Sequence, residues 1–72
     1  MPDKLPLISG QECVKALQRA GFKVEDQRGS HIRLKAGSRR VTVPNHKELD
    51  RGTLKSIIRQ AGLTQDDFVK LL

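Results

Sequence analysis

The sequence predicts an α+β fold, a two-layer sandwich in which a three-stranded antiparallel sheet carries helices on one face. Two stretches repeat apolar residues at the spacing of amphipathic helices. Between them, three short stretches alternate apolar and polar residues, which is the period of half-buried strands. Two helical stripes and one apolar sheet face can be buried only against each other, and this gives the two layers. With 72 residues the chain has the size of one small domain, and we expect residues 1–72 to form it.

The first helix is predicted over residues 10–20. Ser9 and Glu12 have the spacing of a capping box, in which the hydroxyl and the carboxylate accept hydrogen bonds from backbone N–H groups at the helix start. Gly21 follows the last helical residue and suits the left-handed conformation in which many helices end. The apolar stripe of this helix consists of Cys13, Ala16, Leu17 and Ala20.

Two strands joined by a tight loop are predicted to form a hairpin. When their apolar residues face inward together, Val24 lies opposite Ile32 and Phe22 lies opposite Leu34. This register leaves a three-residue loop of residues 27–29, which ends in a glycine that suits the left-handed position of such loops. The strand after the loop then begins at a serine and a histidine.

A third strand is predicted over residues 39–43, with its two valines facing inward. Ile32 is expected to pair near Val41, and His31 near Thr42. The alternation of the three strands places one histidine among several cations on the outward face, which no helix covers. The residues predicted to face outward are Lys23, Glu25, His31, Arg33, Lys35, Arg40 and Thr42.

Two helices are predicted after the sheet. The second helix spans about residues 51–61, with Asp50 as its N-cap and Gly62 as its stop. A short last helix follows Thr64 and buries Phe68. One flank of the second helix carries cations at four-residue steps, which is either a second phosphate-binding surface or a solvated flank. These cations are Arg51, Lys55 and Arg59.

The charge of the chain favours a polyanionic partner. Fourteen Lys and Arg against eight Asp and Glu give a formal net charge of +6, although a merely soluble basic protein has the same imbalance. Cys13 is the only cysteine, which excludes an internal disulfide and indicates a reducing compartment. The sequence has no apolar run long enough to span a membrane and no signal segment, so we expect a cytoplasmic protein.

His31 is the candidate for acid–base chemistry, because histidine exchanges protons near neutral pH. RNA carries its own nucleophile, the 2′-hydroxyl, so one base and a few cations suffice for cleavage without a metal ion. Glu25, opposite His31 in the predicted register, could orient the ring and favour its charged form, whereas Arg33 and Lys23 would oppose that charge. The alternative is that His31 is an ordinary solvated side chain.

Two other kinds of site are not expected. The chain has two histidines and one cysteine, and its outward sheet face is cationic, so a metal site is disfavoured. Phe22 and Phe68 are assigned to the core and there is no Trp or Tyr, so no aromatic side chain is left to stack on bases. Nucleic acid would then be bound through phosphate and sugar, with poor sequence discrimination and steep salt dependence.

Four stretches of the chain resemble one known family in their order and spacing. They are Gly21-Phe22, Gly29-Ser30-His31, Val43-Pro44-Asn45-His46 and residues 52–64. Together they resemble the HicA toxins of bacterial HicA/HicB toxin-antitoxin systems. The resemblance implies a fold like a double-stranded RNA-binding domain, an mRNA-cleaving activity without a cofactor, and neutralisation in a complex with a HicB-like antitoxin. It also implies that His31 is catalytic and that Gly29 and Ser30 complete its motif.

The sequence therefore predicts a toxin that is a metal-independent endoribonuclease, an mRNA interferase, in which His31 exchanges the proton. The residues expected to hold the RNA phosphates are Lys23, Arg33, Lys35 and Arg40. Two alternatives are a non-catalytic RNA-binding module and a basic adaptor that docks an acidic protein. His46 could act as an acid, cap the second helix or brace the loop in which it lies.

Overall fold

A computed structural model describes residues 5–72 of the chain, so the first four residues of the predicted domain lie outside the described part. The elements are α1 (Gly10–Arg19), β1 (Lys23–Arg28), β2 (His31–Ala36), β3 (Arg39–Pro44), α2 (Arg51–Ala61) and α3 (Gln65–Lys70). The strands form one antiparallel sheet in the order β1-β2-β3. Helix α1 packs on β1 and β3, and α2 packs on β3. The predicted α+β fold is confirmed.

The predicted helix caps are confirmed. The backbone N–H of Glu12 donates to Ser9 Oγ at 3.1 Å, and the N–H of Ser9 donates to Glu12 Oε1 at 2.9 Å, which completes the capping box. Asp50 is the N-cap of α2, and its carboxylate accepts a hydrogen bond of 2.8 Å from the N–H of Thr53. Gly62 caps the other end of α2, and its φ of +76° lies in the left-handed region.

The core lies between the helices and the inward face of β2 and β3. Ile32, Leu34, Val41 and Val43 are buried on the sheet side. The residues that meet them from the helices include Ala16, Leu17, Leu54, Ile57, Ile58 and Phe68. Cys13 is also buried there, and this burial raises the pKa of its thiol to about 12. The thiol therefore stays protonated at neutral pH and acts as a small apolar side chain.

The predicted register of the first hairpin is wrong. Val24 pairs with Leu34 rather than with Ile32, and a two-residue turn, Gly29-Ser30, replaces the predicted three-residue loop. The reason is that β1 is an edge strand with no fully buried side chain: Val24 remains 44% exposed. Burial therefore does not set this register, and a β-bulge between Val24 and Asp26 absorbs one extra residue.

The predicted pairing of β2 with β3 is also displaced, but by two residues. Ile32 pairs with Val43 rather than Val41, and His31 pairs with Pro44 rather than Thr42. The tight turn after β2 sets this register, because it brings the last residue of β2 opposite the first residue of β3. A shift of two residues keeps every side chain on its predicted face, so the inward and outward sets of these strands are preserved.

Candidate active site

His31 lies at the end of the sheet where the first hairpin turns. It is the first residue of β2 and is exposed, because its neighbour Ile32 points into the core and strand alternation turns His31 the other way. Across the sheet it faces Arg28 on β1 and Pro44 on β3. The imidazole therefore stands on the open face of the sheet, on the side away from the helices.

Glu25 does not face His31 as the sequence predicted. The bulge in β1 places its carboxylate between two cations of the neighbouring strands, with Oε2 3.9 Å from Lys35 Nζ and 3.9 Å from Arg40 Nη2. The position opposite His31 is taken by Arg28 instead. The sequence predicted a carboxylate opposite the imidazole, whereas the structure has a guanidinium there. The group that faces the imidazole is therefore positively charged and not negatively charged.

Arg33 is tied to Asp26 by a two-pronged ion pair. Its Nε and Nη2 donate to the two carboxylate oxygens of Asp26 at 2.8 and 2.9 Å. The guanidinium lowers the pKa of Asp26, and the same hydrogen bonds raise the pKa of Arg33. The two-residue turn makes this pair possible, because the register that runs from it without a break sets Asp26 directly opposite Arg33.

The cations predicted to bind phosphate differ in how closely they are held by carboxylates of the protein itself. Arg33 is held by Asp26, whereas Lys35 and Arg40 lie at a looser 3.9 Å from Glu25. Lys23 is exposed at the far end of β1, opposite Lys35. Of the cations around His31, Arg33 is the one most committed to an internal partner.

Arg28 is the site residue that the sequence analysis missed. It is exposed, it lies directly opposite His31, and it makes no ion pair within 4.0 Å among residues 5–72. Two-residue loops are the commonest hairpin connections. A two-residue loop made of Gly29 and Ser30 would have placed Arg28 opposite His31. The predicted three-residue loop included this arginine, so it was not expected opposite the histidine.

The turn that carries His31 is braced by the chain that follows β3. The N–H of Asn45 donates to the carbonyl oxygen of Ser30 at 2.6 Å. The side chain of Asn45 in turn accepts a hydrogen bond of 3.1 Å from Gln11 Nε2, which reaches over from α1. The hairpin end is therefore fixed both to the end of β3 and to the start of α1.

His46 belongs to this bracing segment through its main chain. Its carbonyl oxygen accepts a hydrogen bond of 2.8 Å from the N–H of Gly10. The pKa of Asp50 is lowered chiefly by the hydrogen bond from Thr53, and the charge of His46 acts in the same direction. The main-chain bond fixes the loop in which His46 lies, whichever side chain stands at this position.

The chain matches a family of bacterial toxins over most of its length. A family model described as "HicA toxin of bacterial toxin-antitoxin" matches residues 10–63, from the first residue of α1 to just beyond the end of α2. The match covers most of the chain, and the chain belongs to the HicA toxin family. No curated protein matches the chain. Membership of this family implies that the chain has a partner antitoxin.

Two further findings concern the described part of the chain. Between residues 5 and 72, no group of three or more His, Cys, Asp or Glu side chains is arranged to hold a metal ion. None of the helices described in that range has the length and hydropathy of a transmembrane segment.

Proposed function

We propose that this chain is an endoribonuclease that cleaves mRNA without a metal ion or other cofactor, and that His31 exchanges the proton in the reaction. The observation that carries the proposal is the exposed imidazole of His31 on an open sheet face, directly opposite Arg28. A proton-exchanging group beside a cation is the minimum that cleavage of an RNA phosphodiester requires. The family to which the chain belongs supports the assignment.

In the proposed reaction, His31 accepts the proton of the RNA 2′-hydroxyl. The 2′-oxygen then forms a bond to phosphorus while the bond from phosphorus to the 5′-oxygen breaks. The 5′-oxygen takes a proton from solvent, and the products are a 2′,3′-cyclic phosphate and a free 5′-hydroxyl. Arg28 stabilises the negative charge that develops on the phosphoryl oxygens, because it lies across the ladder from His31.

The remaining cations of the face are proposed to hold the RNA strand on either side of the cleaved bond. Gly29 and Ser30 form the turn that presents His31, and the bond from Asn45 to Ser30 keeps the turn in place. Glu25 has no orienting role in this proposal, since it lies with Lys35 and Arg40 rather than with His31. The cations proposed to contact phosphates are Lys23, Arg33, Lys35 and Arg40.

A cleavage assay on labelled RNA in the presence of a chelator tests the proposal. We expect the wild type to cut and to leave a 2′,3′-cyclic phosphate, and we expect RNA that is 2′-O-methylated throughout to stay intact. His31→Ala should bind RNA without cutting it. Arg28→Gln should lower the rate at saturating RNA by about tenfold or more, as loss of a charge-stabilising donor does.

The matched control is His46→Ala, which removes the other histidine of the chain. It should cut at the wild-type rate, because the proposed reaction uses one imidazole.

Equal cleavage by His31→Ala and the wild type would contradict the proposal, as would cleavage that disappears with the chelator. If purified wild type retains RNA without shortening it, the chain is a binding module instead. Circular dichroism and thermal melting of each variant separate lost chemistry from lost fold.

A further inference from the structure

The cations of helix α2 differ from three cations of the sheet face, Arg33, Lys35 and Arg40, in having no acidic partner in the described chain. Helix α2 itself contains no Asp or Glu, and Lys55 and Arg59 are exposed and make no ion pair among residues 5–72. On the sheet face, Arg33, Lys35 and Arg40 all lie within 4.0 Å of a carboxylate. The positive charge of Lys55 and Arg59 is therefore not compensated by any carboxylate within 4.0 Å in the described chain.

A cation from the sheet extends this row beyond the end of the helix. The guanidinium of Arg39 lies over Gly62, where a Cβ would come within 2.6 Å of Arg39 Cζ, and its Nη1 is 3.5 Å from the carbonyl oxygen of Gln60. Gly62 is the first residue after α2 and follows Arg59, the last cation of the helix, by three positions. The absence of a side chain at Gly62 thus lets Arg39 take the next place in the row.

We call this row the α2 cationic stripe and define it as Arg39, Arg51, Lys55 and Arg59. Successive cations on α2 are four residues apart, which is about 6 Å along the helix axis. Arg51 also donates a hydrogen bond of 3.1 Å from Nε to the carbonyl oxygen of Leu5, which anchors the first of them. At the other end, Arg39 is the neighbour of Arg40 on β3, so the stripe meets the cations of the sheet face at an edge strand.

The chemistry of the stripe fits a phosphate backbone better than it fits a protein. Interfaces between proteins centre on buried apolar and aromatic residues, and none of the exposed large apolar side chains of residues 5–72 lies on α2. Ser56 and Gln60, which alternate with the cations, are polar and exposed. Rows of Lys and Arg with polar neighbours contact phosphates without regard to sequence.

We propose that the α2 cationic stripe binds the phosphate backbone of the RNA substrate at a distance from the cleaved bond. This inference rests on the proposed nuclease function and adds a second contact surface to it. The stripe lies in the helix layer and His31 lies on the opposite, open face of the sheet. The substrate therefore passes around the β3 edge of the molecule, and the stripe contributes affinity without touching the reacting atoms.

The test compares two double variants that each remove two cations. Lys55→Gln/Arg59→Gln removes a central and a last-turn cation of the stripe, whereas the control Lys15→Gln/Lys70→Gln removes a mid-helix cation of α1 and a last-turn cation of α3. Both pairs are placed in a His31→Ala background, and binding to a labelled single-stranded RNA is measured over a series of KCl concentrations. We expect the stripe variant to lower the slope of log K against log salt by about 0.7 for each RNA phosphate that the protein no longer neutralises. The control should leave the slope of its parent unchanged.

Kinetics with His31 intact give an independent readout. Removal of an interaction made equally in the ground and transition states raises KM and leaves kcat unchanged. We therefore expect Lys55→Gln/Arg59→Gln to raise KM for RNA cleavage and to leave kcat unchanged. The control pair should change neither KM nor kcat.

Three results would overturn the inference. The first is an unchanged salt slope in the stripe variant while the wild type binds and cuts RNA, which leaves the proposed nuclease function intact. The second is unchanged RNA binding with lost binding of the antitoxin, which assigns the stripe to an acidic protein. The third is a wild type that binds no RNA at any salt concentration, which removes the proposed function together with the stripe.

Discussion

Asp26 carries the clearest electrostatic signature of the sheet face. Its two hydrogen bonds to Arg33 lower the pKa of the carboxyl in the folded protein relative to the unfolded chain. A carboxyl with a depressed folded pKa stabilises the native state above its unfolded pKa of about 3.9, and that stabilisation is lost as the pH falls through the folded value. The Asp26–Arg33 pair therefore contributes at neutral pH and fades under acid.

We expect Asp26→Asn to lower the free energy of unfolding at neutral pH and to approach the wild type as the pH falls below about 4. Urea denaturation at neutral pH and in acid measures both quantities. Asp50, whose pKa is also lowered, is present in both proteins and cancels in the comparison. Glu48→Gln removes an exposed carboxylate that lies outside the helices and strands and makes no ion pair among residues 5–72, and it is the control for a change of net charge. If the difference in free energy of unfolding between wild type and Asp26→Asn is the same in acid as at neutral pH, the ionised Asp26–Arg33 pair is not its cause.

At the scale of elements, the start of α1 is packed directly against the end of β3. A Cβ at Gly10 would overlap the carbonyl oxygen of Pro44 and lie 3.0 Å from the Cα of Asn45. Both neighbours are backbone, which cannot turn aside as a flexible side chain does. Gly10 thus permits the close approach that fixes the segment bracing the His31 turn.

A pair of equivalent substitutions tests this packing. Gly10→Ala should lower the melting temperature, because the clash outweighs the gain of up to about 1 kcal/mol that alanine brings to a helix. Gly52→Ala, also in a first helical turn, meets only Asp50 Oδ1 at 3.5 Å and should be neutral or stabilising. Thermal melting of the two proteins decides between these outcomes. Equal melting temperatures would show that the start of α1 is free to move away from β3.

At the scale of the whole molecule, the net charge of +6 favours association of the toxin with a partner of opposite charge. We propose that this partner is a HicB-like antitoxin, supplied by a neighbouring reading frame that encodes a small acidic protein. Binding over the His31 face would block the proposed chemistry and compensate the cations there. Such a complex would form quickly and would weaken as salt screens the charges.

Growth of bacteria that express the chain tests this expectation in the intact system. Expression alone should halt growth, co-expression of the acidic neighbour should restore it, and His31→Ala should be harmless at matched protein level. The level is checked by immunoblot, so that a poorly expressed variant is recognised. If His31→Ala arrests growth as strongly as the wild type, toxicity comes from binding rather than from cleavage.

Local patterns in the sequence determined the elements and their faces. The caps at Ser9 and Asp50 lie where hydroxyl and carboxylate spacing places them, and the alternation from His31 to Leu34 was enough to turn the histidine outward. The position of a cap and the face on which a strand residue lies depend only on residues a few positions away in the sequence. The chain needs no distant contact to settle them, because side-chain direction follows backbone periodicity.

Only the tertiary structure decided which residues meet. The two-residue turn sets Arg28 opposite His31 and Asp26 opposite Arg33, and the packing of α2 on β3 brings Gly62 against Arg39, 23 positions earlier in the chain. Register across strands depends on turn geometry and on burial, and an exposed edge strand supplies too little burial to fix it in advance. Contacts between distant residues arise from packing of whole elements, which no local period encodes.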